Sequence, residues 1–241
     1  MSGRGLVVAK APVVGEVKTR LGRELGESPW VEGGVAEGMA VAARLAAAAL
    51  WDTVEACEVA FGPGECHLAL AGDLSAAVDG ERLADRFSAW TVHPQRGTEL
   101  GERLSHAHHD AAAHTRPHLR SGPVVQVGMD TPQIAPDLLR RVAAEAATGR
   151  AVLGPAEDGG WWVLALGSPG ATAALVDVPM SRPDTYQATR TALAAAGAHV
   201  VTTRTLRDVD TVTDAEAVAA AAPDGRFARV WAELTRREPA R

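Results

Sequence analysis

The feature that most constrains the fold of this chain is an alternation of short apolar runs with longer helix-like stretches. The runs predict strands at 6–9, 67–71, 89–93, 123–127, 151–153, 161–166 and 198–202. The stretches predict helices at 35–56, 75–86, 98–114, 136–148, 185–196, 213–221 and 225–237, the third of them capped by Thr98. Because strands that alternate with helices form parallel sheets covered on both faces, the pattern predicts an α/β fold with a mostly parallel sheet.

Length and composition restrict the class of protein further. The 241 residues contain no evident linker, repeat or low-complexity segment, so we expect one domain over 1–241. The net charge of −6 argues against a nucleic-acid partner. The most apolar stretch, 35–57, is interrupted by Glu37, Arg44, Asp52 and Glu55, so we expect no membrane span. Two cysteines and no visible signal peptide favour the cytoplasm.

A cationic loop follows the first predicted strand, at the edge of the sheet where α/β proteins bind ligands. It contains Lys10, Gly15, Lys18 and Arg20. Gly15 permits a tight loop whose backbone N–H groups can face an anion, and Lys18 and Arg20 add positive charge suited to a phosphate group. The spacing is not that of a Walker loop, and a solvated basic loop is the alternative interpretation.

Three aspartates follow other strands and are candidate metal ligands. Asp130 comes directly after the strand 123–127, where its carboxylate suits Mg²⁺ or Mn²⁺. Asp208 and Asp210 alternate on an extended segment, so one can reach a metal ion while the other organises the loop. The alternatives are a turn cap for Asp130 and a helix N-cap for the later pair.

Two further groups are candidates for substrate contact. Asp158 precedes two glycines and could orient an acceptor or act as a base, although Asp-Gly is also a strong hairpin signal. Gln95 could read a base edge, and Gly97 could let a base or ribose approach the backbone in the segment that ends at Arg103. An ordinary loop and helix start is the alternative. Histidines at 106, 108, 109, 114 and 118 are interpreted as mostly solvated helix residues, because no matching spacing supports zinc.

Five motifs occur together in a recognisable order. They are Ala-Lys-Ala-Pro-x-x-Gly-x-Val-Lys-Thr-Arg-Leu, Gln-x-Gly-x-x-Leu-Gly-x-Arg, Gly-x-Asp-x-Pro, Gly-Pro-x-x-Asp-Gly-Gly and Asp-Val-Asp-Thr. The set resembles the DUF2064 family, also called the selenodomain-associated transferase 1 group or glycosyltransferase-A-like proteins, over roughly residues 6 to 220. The resemblance implies a nucleotide-diphospho-sugar transferase fold, a three-layer Rossmann-like sandwich. It also implies similarity to the molybdenum-cofactor, 2-phospholactate and phosphoenolpyruvate guanylyltransferases.

The resemblance also implies roles for particular residues. Lys10, Lys18 and Arg20 would hold phosphates, and Asp130 and Asp210 would hold the metal with Asp208 beside them. The chain departs from the family where Trp161 and Trp162 replace two tyrosines, and where Met180-Ser181-Arg182 replaces Trp-Ser-Thr. Both departures fall where an acceptor would sit.

The sequence therefore predicts a metal-dependent transferase that acts on a nucleotide. In the first hypothesis, a small acceptor attacks the α-phosphate of a nucleoside triphosphate. Asp130 binds Mg²⁺ or Mn²⁺, Lys18 stabilises the departing pyrophosphate, and Asp158 contacts the acceptor. A glycosyltransferase that uses a nucleotide-diphosphate sugar is the first alternative, and a non-catalytic nucleotide-binding module is the second. Acceptor, nucleobase and oligomeric state remain open.

Overall fold

The computed structural model describes residues 3–114 and 122–236. The strands are β1 Arg4–Lys10, β2 Cys66–Ala71, β3 Thr91–Pro94, β4 Val124–Gly128, β5 Ala151–Pro155, β6 Trp161–Leu166 and β7 Val200–Thr202. The helices are α1 Thr19–Gly26, α2 Gly34–Phe61, α3 Gly80–Phe87, α4 Leu100–Ala113, α5 Pro136–Ala146, α6 Thr185–Ala195, α7 Val212–Ala221 and α8 Arg226–Thr235. Each predicted strand and helix is present, with ends shifted by up to five residues. The largest shifts are at α3, which begins at Gly80 and not at 75, and at α2, which ends at Phe61 and not at 56. His118 and the predicted helical position 237 lie outside the described residues.

All seven strands form one sheet in the order β3-β2-β1-β4-β6-β5-β7. Strand β6 pairs antiparallel with β4 and β5, and every other neighbouring pair is parallel. The exception follows from the short turn between β5 and β6, since a hairpin connection joins only antiparallel strands. The predicted α/β fold with a mostly parallel sheet is confirmed.

Helices cover both faces of the sheet, and the strands alternate their side chains between them. Val7 and Val125 lie in the core that α2, α3 and α5 cover. Their neighbours Leu6 and Val124 lie in the core that α4 covers on the opposite face. Helix α6 and the 3-10 segment Pro169–Leu175 extend that second face over β5 and β6. The three-layer arrangement follows from this period of two along each strand.

Helix α2 is buried on two sides. One side packs on the sheet, and the other contributes Val41 and Leu45 to a separate core with α1, α7 and α8. The helix is therefore apolar over most of its circumference, and its most apolar 18-residue window, with a mean hydropathy of 1.3, would suffice by length and composition for a membrane span. The expectation of no membrane span rested on the charged residues that interrupt this stretch, and that reason was wrong, since the length and composition of the helix would allow a span. Burial of 61% of the apolar window within the protein accounts for that composition.

Helix α1 was not predicted, since its residues were interpreted as part of the cationic loop. It packs on α2 through two glycines: a Cβ atom on Gly38 would lie 2.1 Å from the carbonyl oxygen of Gly22. Any side chain at Gly38 would force the two helices apart. This contact matters for the site, because Lys18 immediately precedes α1.

We expect Gly38→Ala to lower the free energy of unfolding by about 2 kcal/mol, because overpacking costs more than the gain in helix propensity. Denaturant unfolding measures the effect. Gly170→Ala is the matched control, since its Cβ would meet only the Ser168 hydroxyl, at 3.9 Å. Equal stability of the two variants would show that α1 and α2 do not need this close approach.

His108 is fully buried, so the prediction that it is a solvated helix residue was wrong. It lies on the inner face of α4 with Leu104, Ala107 and Ala111, at the spacing of one helical stripe. Neither ring nitrogen has a partner in hydrogen-bond geometry among the described residues, although the amide of Gln126 on β4 is close enough to oppose the lowering of the His108 pKa. Burial lowers the pKa of His108 to about 4.

This burial predicts a loss of stability in acid. Because the folded pKa lies below the unfolded value, the unfolded chain binds the proton first. The contribution of His108 is therefore present above pH 6.5 and is lost as the pH falls toward 4. The loss from His108 is about 2 kcal/mol by pH 5. Urea titrations at pH 7.5 and pH 5 should show a smaller difference for His108→Leu than for the wild type, and equal differences would contradict the assignment.

Candidate functional site

A cavity of about 880 Å³ opens at the carboxyl edge of the sheet. Its walls come from the loop after β1, the segment after β4, the β5–β6 turn and the segment before α7. Among the residues that line it are Lys10, Arg20, Asp130, Asp158 and Asp208. Cavities of about 340 and 420 Å³ lie elsewhere. Glu32, Glu37 and Glu233 line the smaller of them, but among the described residues only Asp130, Asp208 and Asp210 converge closely enough to share a metal ion.

Lys18 lies between two of the predicted metal ligands. Its Nζ donates to Oδ2 of Asp130 and to Oδ1 of Asp210, both at 2.8 Å. Its side chain is 12% exposed, against 33% for Asp130 and 41% for Asp210. Burial lowers the pKa of Lys18, but the two carboxylates raise it more, so the net pKa is above its ordinary value and the group is an ammonium.

The backbone of Lys18 contributes to this placement. Its φ of 47° and ψ of 42° are left-handed, a conformation that few residues other than glycine adopt. Because of this left-handed turn, the Lys18 side chain is directed at the two acids while helix α1 begins at the next residue. Lys18 itself does not line the cavity. The sequence predicted Lys18 as a phosphate contact, whereas its ammonium is engaged by the acids.

Asp130, Asp208 and Asp210 form an acidic cluster. One carboxylate oxygen from each lies within 4.8 Å of the other two. Burial, and then the charges of Asp130, Asp158 and Asp210, raise the pKa of Asp208 to about 7. Three hard oxygen donors at this separation fit Mg²⁺ or Mn²⁺, which bind carboxylates and keep further positions for phosphate or water.

Backbone hydrogen bonds bring these distant aspartates together. The N–H of Val209 donates to the carbonyl of Asp130 at 3.0 Å, and the N–H of Glu157 donates to the carbonyl of Leu206 at 3.1 Å. Thr211 then caps α7 by accepting from the N–H of Asp214. The segment that carries Asp208 and Asp210 is therefore held between β4, the β5–β6 turn and α7.

Asp158 lies in the β5–β6 turn and also lines the cavity. Its Oδ1 accepts from the N–H of Gly160 at 2.7 Å, as in a turn. Gly159 has a φ of 91°, and a Cβ there would lie 2.0 Å from the carbonyl oxygen of Pro183. The hairpin interpretation is therefore correct, and the turn places Asp158 beside the acidic cluster as well.

The predicted phosphate contacts are only partly brought to the cavity. Lys10 and Arg20 line it and are exposed. Lys10 donates to the carbonyl of Glu16 at 3.0 Å and lies 3.4 Å from the carboxylate of the same residue. Gly15 has a φ of 79° in the exposed turn, and it does not line the cavity.

The predicted base-reading segment is partly structural. The Nε2 group of Gln95 donates to the carbonyls of Ala9 and Ala69 at 2.9 and 3.0 Å, which braces β1 and β2. Arg103 lines the cavity and donates to the carbonyl of Gly97 at 3.0 Å. Gly97 does not line the cavity; a Cβ there would lie 2.7 Å from the Cβ of Glu102.

The start of α4 differs from the prediction. The helix begins at Leu100 and is capped by Glu99, whose capping box is completed by Glu102. Thr98 is therefore not the N-cap; its N–H donates to the Glu102 carboxylate at 2.7 Å.

The sequence did not single out Gln126 or Arg207, and both line the cavity. Gln126 is 1% exposed, and its amide has no partner among the described residues. A polar side chain within the apolar strand β4 was the available signal. Arg207 forms ion pairs with Glu157 and with Asp214, the latter at 3.1 Å, and thereby ties the β5–β6 turn to α7.

Comparison with known proteins gives a family match and several similar folds. A sequence model of the family described as "Uncharacterized protein conserved in bacteria (DUF2064)" matches residues 53–182. A protein of Desulfovibrio desulfuricans G20, provisionally described as a nucleotide-diphospho-sugar transferase, has a TM-score of 0.77 at 24% identity, covering 98% of this chain and 96% of that one.

Two more distant structures share the fold. CMP:2-keto-3-deoxy-manno-octonic acid synthetase, complexed with CTP, has a TM-score of 0.52 at 14% identity, covering 93% of this chain and 99% of that one. A nucleotidyl transferase of Methanothermobacter thermautotrophicus has a TM-score of 0.52 at 15% identity, covering 93% and 97%. These likenesses confirm the nucleotide-diphospho-sugar transferase fold. No curated protein matches the sequence significantly.

Proposed function

The chain belongs to the DUF2064 family of bacterial proteins, and we propose that it is a metal-dependent nucleotidyltransferase. It transfers a nucleotidyl group from a nucleoside triphosphate to a small acceptor, and pyrophosphate leaves. The observation that carries the proposal is the bonding of Lys18 to Asp130 and Asp210, which line one cavity together with Arg20 and Lys10. Side chains from distant parts of the sequence therefore supply, at one cavity, acids that could bind a metal ion and cations that could bind the phosphates of a triphosphate.

The side chains divide into those that bind phosphate and those that hold the acids in place. Lys10, Arg20 and Arg103 line the cavity and supply the positive charge that stabilises a triphosphate and the departing pyrophosphate. The Lys18 ammonium forms ion pairs with both Asp130 and Asp210 and so holds the two carboxylates close together. Lys18 is therefore the cation nearest to the acidic cluster.

The acidic cluster supplies the metal site in this proposal. Asp130 and Asp210 would hold Mg²⁺ or Mn²⁺, with Asp208 beside them. A bound divalent cation neutralises charge on phosphate oxygens during the transfer. Asp158 and Trp161 line the same cavity, and in this proposal they orient the acceptor. The CTP complex of a protein with the same fold supports a nucleotide as the partner.

Release of pyrophosphate tests the proposal. The purified chain is incubated with each nucleoside triphosphate, Mg²⁺ or Mn²⁺, and a panel of small phosphorylated, carboxylated and hydroxylated acceptors. We expect metal-dependent release with at least one nucleotide. If no triphosphate released pyrophosphate with any acceptor, and a sugar nucleotide was turned over under the same conditions, nucleotidyl transfer would be refuted.

Glycosyl transfer is the second candidate, favoured by the description of the Desulfovibrio protein. In that reaction the departing group is a nucleoside diphosphate, which needs fewer cations than Lys10, Arg20 and Arg103 provide. Thermal shifts separate the two, because a ligand stabilises the folded state in proportion to its occupancy. Larger shifts with triphosphates than with sugar nucleotides favour nucleotidyl transfer, and the reverse order favours glycosyl transfer.

We also propose that residues 1–241 form one domain that works in the cytoplasm, with no nucleic-acid or membrane partner. The continuous sheet supports a single domain. Cys57 and Cys66 are free and buried, as expected in a reducing compartment. Burial raises the pKa of the Cys57 thiol to about 12, so it is unreactive.

A further inference from the structure

A second cavity, of about 420 Å³, lies on a different part of the molecule between α2, α3 and α8. It shares no lining residue with the cavity at the carboxyl edge of the sheet. Four arginines line it: Arg44 from α2, Arg82 from α3, and Arg226 and Arg229 from α8. Lining carboxylates come from Asp79 and Glu233 alone among the described residues. Its lining is therefore cationic although the chain carries a net charge of −6.

The indole of Trp51 lies beside two of these four arginines and beside Arg86, which does not line the cavity. The guanidinium carbons of Arg226, Arg86 and Arg82 lie 4.6, 5.4 and 5.9 Å from its ring centroid. Trp51 is 6% exposed, lines the cavity, and its Nε1 has no hydrogen-bond partner among the described residues. The aromatic face holds the guanidinium groups in a fixed arrangement.

The nearby acids make few direct ion pairs with these arginines, although Asp52 attracts Arg229 at longer range and Glu233 also lines the cavity. Glu58 pairs with Arg86, and Asp79 lies 3.6 Å from Arg82. Asp52 accepts from the backbone N–H groups of residues 226 and 227, and so caps α8. No carboxylate of the described residues lies within 4.0 Å of the guanidinium groups of Arg44, Arg226 or Arg229. Like charges at short range repel, so an anion in this cavity would be stabilised.

We propose that this cavity binds a small polyanion that carries phosphate groups, at a site separate from the catalytic one. Guanidinium groups bind phosphate oxygens through paired charge-assisted hydrogen bonds, and several converge here. The volume is that of a small-ligand site. Binding here needs no divalent cation, because the lining lacks a group of converging carboxylates. Binding without a divalent cation therefore distinguishes this site from the catalytic cavity.

Inorganic pyrophosphate in EDTA is the probe, measured by equilibrium dialysis at constant ionic strength. The cavity variant is Arg44→Gln/Arg226→Gln, which removes two charges and breaks no ion pair to a described carboxylate. The matched control, Arg141→Gln/Arg190→Gln, removes two exposed helical arginines elsewhere. A third protein, Lys10→Gln/Arg20→Gln, weakens phosphate binding at the catalytic cavity. Circular dichroism confirms that each variant folds.

We expect the cavity variant to bind pyrophosphate at least about tenfold more weakly at a site that the control and Lys10→Gln/Arg20→Gln retain. Equal binding by the wild type and the cavity variant would overturn the proposal, as would absence of binding to the wild type in EDTA. The catalytic proposal fails separately, if Lys10→Gln/Arg20→Gln binds nucleoside triphosphate with Mg²⁺ as tightly as the wild type.

Discussion

Asp130→Asn is expected to lower the metal-dependent transfer rate by at least about 100-fold. The substitution keeps the size of the side chain and removes one of the three clustered carboxyl groups. A catalytic metal contributes several kcal/mol to the barrier, and each 1.36 kcal/mol is a factor of ten in rate. Pyrophosphate release at saturating Mg²⁺ measures the effect.

Two comparisons make this result specific. Asp137→Asn, which removes an exposed charge on α5, should keep the wild-type rate. Thermal unfolding should show that Asp130→Asn remains folded, because Lys18 keeps its bond to Asp210. A wild-type rate for Asp130→Asn, with unchanged metal dependence, would instead favour a nucleotide-binding module without catalysis.

Lys18→Met is expected to tighten Mn²⁺ binding in the absence of nucleotide by about 10- to 100-fold. In the wild type, a cation at the acidic cluster must compete with an ammonium that donates to Asp130 and Asp210 at 2.8 Å. Charge-assisted hydrogen bonds contribute about 1.5–3 kcal/mol each, and methionine removes them at nearly constant length. Titration of Mn²⁺, followed by electron paramagnetic resonance, measures the dissociation constant.

The same variant should be less stable without metal. Asp130 and Asp210 would face each other without a shared cation, but both are about a third or more exposed, so water screens the repulsion. The expected loss is about 1 kcal/mol, and Mn²⁺ should recover it. Lys10→Met is the control and should change neither quantity. Unchanged Mn²⁺ affinity in Lys18→Met would show that the ammonium and the metal do not compete.

The sequence predicted most of the fold because hydrophobic periodicity is a local signal. It marked every strand, and the order of strands and helices implied the sheet. It missed α1, whose residues were interpreted with the preceding loop, and whose packing depends on Gly22 meeting Gly38. It also missed the burial of His108, because several histidines lie close together on this helix and the residue type does not show which of them packs inward.

The candidate site was predictable in residue type but not in its contacts. The motifs identified Lys18, Asp130 and Asp210, and the likeness of the motifs to one family implied the roles that we propose for them. Their contacts span 112 and 192 positions of sequence, and they depend on a left-handed backbone at Lys18. Spacing cannot encode such a contact. The bracing role of Gln95 likewise depends on β1 and β2 lying side by side.

Anomalous diffraction from crystals grown with Mn²⁺ and a nucleoside triphosphate tests the central claim most directly. The account predicts one manganese peak within about 2–2.2 Å of carboxylate oxygens of Asp130 and Asp210, with the phosphates beside Lys10 and Arg20. A manganese ion or triphosphate bound elsewhere, with the Lys18 ammonium still bonded to both acids, would contradict it.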